Sequence, residues 1–200
     1  MKRTLDKILL AGFCIIPFVL LVVDLLFNRL GANPIEKMLH VTGDWALNLL
    51  LAALAITPLV RYAGWARLQT LRRQLGLFAA FYALLHVSVY AGLDKAFSWT
   101  DILNDAGKHR RIWFGAAAFI IMLPLAATSS NRMMGLLGGR QWQKLHRLIY
   151  VAALFGVTHY LLLVKKDLRL PLWYGAAYLF LMSFRVIELI RPLCKRSNPL

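Results

Sequence analysis

The chain is 200 residues long and 60% hydrophobic, with 16% charged residues and a mean hydropathy of +0.59. That composition excludes a disordered chain, a coiled coil and an ordinary soluble domain, in which roughly 25% of residues are charged. The net charge of +15 would suggest nucleic acid in a soluble protein, but here the basic residues lie between apolar runs, where they set membrane topology.

A membrane-crossing helix needs roughly 20 apolar residues. Six such runs follow one another at about 8–27, 41–60, 74–93, 112–128, 145–164 and 171–190. The first comes after Lys2, Arg3 and Lys7 and imitates a secretory leader. Its apolar part is too long for one and no small-residue cleavage site follows, so it reads as a retained span. Asn33-Pro34 punctuates the approach to the second span, and Thr57-Pro58 lies near its end. The third starts after Arg72-Arg73 and carries His86. The 94–111 connection holds Asp94, Asp101, Asp105, Lys108, Arg110 and Arg111 and reads as a solvated loop. Gly135 and Gly138-Gly139 separate the fourth span from the fifth, which His146 and His159 bracket, and Pro171 opens the sixth. Tyr and Trp crowd the span ends, as interfacial belts do.

The expected fold is therefore an all-α membrane protein, a bundle of six transmembrane helices forming a single domain over residues 1–200. Spans and connections take up the chain, so no soluble catalytic domain is expected. Cys14 and Cys194 are too few for a disulfide framework or a thiolate metal site. Alternate connections collect 15 of the 24 Lys and Arg on the side of the termini and leave 9 on the other. The richer side faces the cytoplasm, so both termini are expected there.

Five histidines remain to be explained. His40 and His109 lie near span ends and suit interfacial or solvated roles. His86, His146 and His159 are at membrane depth, where ionisable groups are costly and usually face a partner or a cofactor. A neutral imidazole can instead bond a backbone carbonyl or a hydroxyl and be merely structural. The third and fifth spans both run outward. His86 is roughly 18 Å and His159 roughly 21 Å from their starts, at 1.5 Å per residue. Two imidazoles at one depth on parallel helices can ligate a haem iron from both faces, giving an electron carrier with no open position for substrate. His146 lies near the inner edge, with Arg72 and Arg73 as its candidate neighbours. It stands about 140° around an ideal helix from His159, so the two need not serve one column. A zinc site is the rival reading, and it would want three or four ligands at one depth.

The segments around these histidines carry a resemblance. Arg72-Arg73-Gln74-Leu75-Gly76-Leu77, Phe81-Tyr82, Leu85-His86 and Tyr90 resemble the third span of the MsrQ family. Members of that family are the haem-binding membrane subunits of the bacterial MsrPQ protein-methionine-sulfoxide reductase system. Thr42-Gly43, Trp45, Thr57-Pro58-Leu59, Thr128-Ser129-Ser130-Asn131, Trp142, Leu145-His146-Arg147-Leu148 and His159-Tyr160 are similar to it as well. The family looks like a reduced ferric-reductase and NADPH-oxidase membrane domain, whose larger members carry two His on each of two spans. Here Arg72 stands fourteen residues before His86, where the second His of the third span would be.

The resemblance implies one haem b, with His86 and His159 as the axial ligands of its iron. It leaves an inner site at His146 and Arg72 open to a second haem, an FMN or a quinone. It also implies residence in the bacterial inner membrane. Electrons would come from the quinone pool or a cytosolic flavin reductase, since only ten residues follow Ile190. They would leave, by way of haem and FMN, for a periplasmic molybdopterin-containing catalytic subunit. That partner reduces methionine sulfoxide in oxidised envelope proteins, a reversible lesion. The chain itself would be an electron-transfer subunit with no substrate-reducing site of its own. The competing class is a small transporter or channel with structural histidines, which would want broken helices or a polar path.

Overall fold

A computed structural model describes residues 2–164 and 167–196. Lys165, Lys166 and Leu200 lie outside the described residues, as do the side chains of Lys2, Arg3, Arg191, Cys194, Lys195 and Arg196. The described chain is helical throughout its regular elements, with no strand. In order they are α1 (Lys2–Leu26), α2 (Pro34–Tyr62), α3 (Arg72–Ser88), α4 (Trp99–Lys108), α5 (Arg110–Ala127), α6 (Asn131–Leu137), α7 (Gly139–His146), α8 (Ile149–Leu163) and α9 (Arg169–Arg196). A short 3₁₀ stretch, Ala66–Thr70, precedes α3, and a π-helical turn, Val89–Asp94, continues it.

Six segments among the described residues are long and apolar enough to cross a bilayer: Thr4–Leu26, Pro34–Tyr62, Arg72–Asp94, Arg110–Ala127, Gly139–Leu163 and Arg169–Ile187. The fifth is compound, since α7 and α8 meet at a turn through Arg147 and Leu148. The second begins at Pro34, well before the expected start near 41. Asn33 caps it by accepting from the Glu36 N–H, and Pro34 occupies the first turn, where its missing donor costs nothing. The 94–111 connection is not an irregular loop. Ser98 accepts from the Asp101 N–H and starts α4.

Packing pairs the helices. α2 lies most extensively against α3, and α5 against α8, with α9 beside α8. The core sits where α2, α3 and α8 converge, around Leu50, Leu54, Ala79, Tyr82, Ala152 and Ala153. The fully buried Ala79, Ala152 and Ala153 let backbones approach closely, which is how membrane helices gain contact without a hydrophobic drive between them. Leu9, Leu26, Ile120, Leu179 and Phe180 point outward and exposed, a surface suited to lipid. α1 is fastened by one buried side chain: the Tyr82 hydroxyl accepts from the Phe18 N–H and donates to the Cys14 carbonyl. It thereby joins the donor and acceptor of a single helical turn, next to Pro17, which supplies no N–H.

Candidate functional site

The two helix pairs bring one histidine each to a common point. His86 comes from α3 and His159 from α8, and their ring centroids are 6.1 Å apart with planes at 85°. Each ring is steered by the helix packed against its own. His86 Nδ1–H donates to the Leu39 carbonyl of α2 at 3.0 Å. Thr42 Oγ1, whose own hydrogen goes to the Met38 carbonyl at 2.7 Å, stands 3.3 Å from the same nitrogen. His159 Nδ1–H donates to the Arg111 carbonyl of α5 at 2.7 Å. A carbonyl only accepts, so both rings carry their proton on Nδ1. Each Nε2 is then left with a bare lone pair, and neither has a protein hydrogen-bond partner among the described residues.

This arrangement suits an axial pair. An imidazole–metal bond is about 2 Å long, so two trans nitrogens stand about 4 Å apart and their ring centroids about 6 Å apart. Ligating histidines characteristically give their other N–H to a carbonyl or carboxylate, which fixes tautomer and orientation and raises basicity. A zinc centre has no comparable support: no group of three or more His, Cys, Asp or Glu side chains stands together among the described residues.

His146 is held differently. Thr128 Oγ1 spends its hydrogen on the Pro124 carbonyl at 2.6 Å, so His146 Nε2–H donates to it at 3.1 Å. The imidazole lies on Trp142, whose Nε1–H donates to the Thr128 carbonyl at 2.9 Å. Arg72 is within electrostatic reach of His146, and Arg73 donates to Asn131 Oδ1 at 2.8 Å. The structure thus gathers Arg72, His146 and the Thr128–Asn131 turn at one end of the bundle and leaves them apart from the His86–His159 pair.

At the opposite end Asp105 of α4 gathers three donors: Lys95 at 3.1 Å, His109 at 2.8 Å and the Tyr90 hydroxyl at 3.0 Å. Burial works against the Asp105 charge, but these hydrogen bonds outweigh it and hold the carboxyl below its ordinary value. Lys95 is held above its ordinary value, first by its bond to Asp94, with burial opposing. An open groove of about 510 Å³ runs along this end, lined by Asp94, Asp101, Asn104, Lys108 and His109. His40 sits 3.8 Å from Glu36 on the surface of α2.

Sequence reasoning singled out the imidazoles and missed what holds them. Leu39 and Arg111 act through their backbone, which no residue type announces, and Arg111 reads simply as loop charge. Thr42 was visible only as part of a familiar dipeptide.

Fold and site together define the class. Residues 42–157 match the family described as ferric reductase like transmembrane component, a stretch that contains His86 and His146 and ends before His159. Six apolar helices and a transmembrane family make the chain a multi-pass membrane protein. Three relatives are each a protein-methionine-sulfoxide reductase heme-binding subunit MsrQ. The one from Caulobacter vibrioides is 44% identical over 85% of this chain and 81% of its own. The one from Rhodospirillum rubrum is 42% identical over 95% and 91%, and that from Herminiimonas arsenicoxydans 44% over 92% and 86%. The chain belongs to the MsrQ family. No solved structure matches it.

Proposed function

We propose that the chain is a single-domain membrane cytochrome of the bacterial inner membrane, with His86 and His159 as the axial ligands of one b-type haem. The observation that carries this reading is the 6.1 Å separation of two rings whose Nδ1 hydrogens are both committed to backbone carbonyls. The naming of the MsrQ relatives as heme-binding subunits supports it further. His86 and His159 would hold the haem, which would supply reversible one-electron chemistry and, with two imidazoles engaged, would offer substrate no place to bind. The protein's part is to fix the two rings, exclude water with the apolar faces of α3 and α8, and set the ligands' donor strength.

Both termini face the cytoplasm, on the Lys and Arg balance of the connections. Arg72, Arg73 and His146 then mark the cytoplasmic end. There a quinol or a cytosolic flavin reductase delivers electrons to the chain, and the guanidinium groups of Arg72 and Arg73 suit an FMN phosphate. The Asp105 end and α4 face the periplasm. They meet a molybdopterin-containing catalytic subunit that reduces methionine sulfoxide, in keeping with the relatives' description as subunits of a protein-methionine-sulfoxide reductase. A transient contact made by charged groups is sensitive to salt.

The test uses purified protein with its haem chemically reduced under anaerobic conditions. Adding the periplasmic catalytic subunit together with methionine sulfoxide should reoxidise the haem, more slowly at high salt. Reoxidation by sulfoxide without the partner, or none with it, contradicts the relay.

A further inference from the structure

Two glycines occupy equivalent places beside the two histidines. The carbonyl that receives His86 belongs to Leu39, and one turn later on α2 stands Gly43. The carbonyl that receives His159 belongs to Arg111, and one turn later on α5 stands Gly115. In an α-helix the carbonyl of residue i already accepts the N–H of residue i+4, and only its second lone pair is left for an outside donor. Helical side chains lean toward the N-terminus, so the Cβ of residue i+4 overhangs that carbonyl. With glycine there, the way in is open.

The distances bear this out. A Cβ placed on Gly115 would stand 2.8 Å from His159 Nδ1, closer than a real Cβ comes to another heavy atom, and 3.0 Å from its Cε1. A Cβ on Gly43 would stand 3.2 Å from both Nδ1 and Cε1 of His86, so the ring would have to give by a few tenths of an ångström. Other span glycines behave otherwise. Gly12 and Gly76 have nothing within 4 Å, Gly156 and Gly175 meet only aliphatic side chains, at 3.5 and 4.0 Å, and Gly92 meets the Phe97 ring at 3.1 Å rather than an imidazole. The two that touch an imidazole are the two placed four residues after its hydrogen-bond acceptor.

We propose that Gly43 and Gly115 are positioning residues. Each uncovers the carbonyl one turn before it, so that the Nδ1–H of an axial histidine can bond there, and the pair of bonds sets the donor strength of both ligands. The proposal rests on the haem assignment to His86 and His159. A carbonyl acceptor at Nδ1 makes an imidazole more basic. A more basic ligand favours ferric over ferrous iron, so losing the bond raises the reduction potential.

The experiment compares Gly43→Ala, Gly115→Ala and Gly76→Ala with the unaltered protein, purified with haem in detergent. Haem content, an equilibrium redox titration and the low-temperature EPR spectrum of the ferric form are recorded for each. His86→Ala and His159→Ala are run alongside. The expected result is a higher potential and shifted low-spin g-values in Gly43→Ala, and the same or outright haem loss in Gly115→Ala. Gly76→Ala should match the unaltered protein. If Gly43→Ala and Gly115→Ala both keep haem with unchanged potential and EPR spectrum, the clamp is overturned while the haem assignment stands. If His86→Ala and His159→Ala keep their haem, the assignment fails and the clamp with it. Should both glycine variants lose haem, the unaltered protein decides. Hyperfine spectroscopy with histidine labelled at Nδ1 must show a hydrogen-bonded proton on both ligands, and its absence overturns the proposal.

Discussion

The imidazole of His146 lies on the indole of Trp142, with centroids 3.9 Å apart and planes 24° from parallel. Both rings are tied to Thr128, one through its hydroxyl and one through its carbonyl. His146 is thereby committed through Nε2, the nitrogen that His86 and His159 leave bare. His146→Ala is expected to lower stability by about 1 kcal/mol, the usual net worth of a hydrogen bond. The haem-to-protein ratio, measured by pyridine haemochrome, should not change. A halved ratio would place a second haem at His146.

Arg72→Ala removes a positive charge within electrostatic reach of His146 without touching the His86–His159 pair. Haem reduction by a quinol or a cytosolic flavin reductase should slow several-fold, with the reduced-minus-oxidised spectrum intact. Stopped-flow traces with each donor check this, and unchanged kinetics would return Arg72 to the role of topology charge.

Tyr82 is fully buried and satisfies two backbone groups of α1 with one hydroxyl. Tyr82→Phe keeps the ring and removes both bonds to α1. The expected loss is about 1 kcal/mol, read as a lower unfolding temperature in detergent with haem content preserved.

Much of this fold was legible because long apolar runs leave a chain little choice. Where hydropathy was diluted, legibility fell. Glu36, Lys37 and His40 hid the first turns of α2, although Asn33-Pro34 is a cap followed by a first-turn proline. α4 escaped because its charges mask an apolar stripe of Trp99, Ile102, Leu103 and Ala106. That stripe has helical spacing, and Ser98 with Asp101 three residues on has the form of a start signal. The approach of the His86 ring to that of His159 was readable from depth. The carbonyls of Leu39 and Arg111 and the roles of Gly43 and Gly115 were not, since they exist only once α2 meets α3 and α5 meets α8.

Asp105 makes the attachment of α4 dependent on pH. Its folded-state pKa is depressed, so its contribution is complete above the ordinary carboxylate value near pH 4 and is lost as pH falls through the lower folded value. Hydrogen exchange in residues 95–109 should accelerate below about pH 4 once corrected for intrinsic rates. Asp105→Asn should bring the same loosening at neutral pH, worth about 1 kcal/mol. Equal protection in variant and parent would remove Asp105 from that role.

The most direct measurement is the reduced-minus-oxidised optical spectrum of purified His86→Ala and His159→Ala, set against His40→Ala and His109→Ala. Loss of most of the haem signal in each of the first two, with the second two unchanged, is the predicted result. Full haem with unaltered bands in both His86→Ala and His159→Ala would contradict the account.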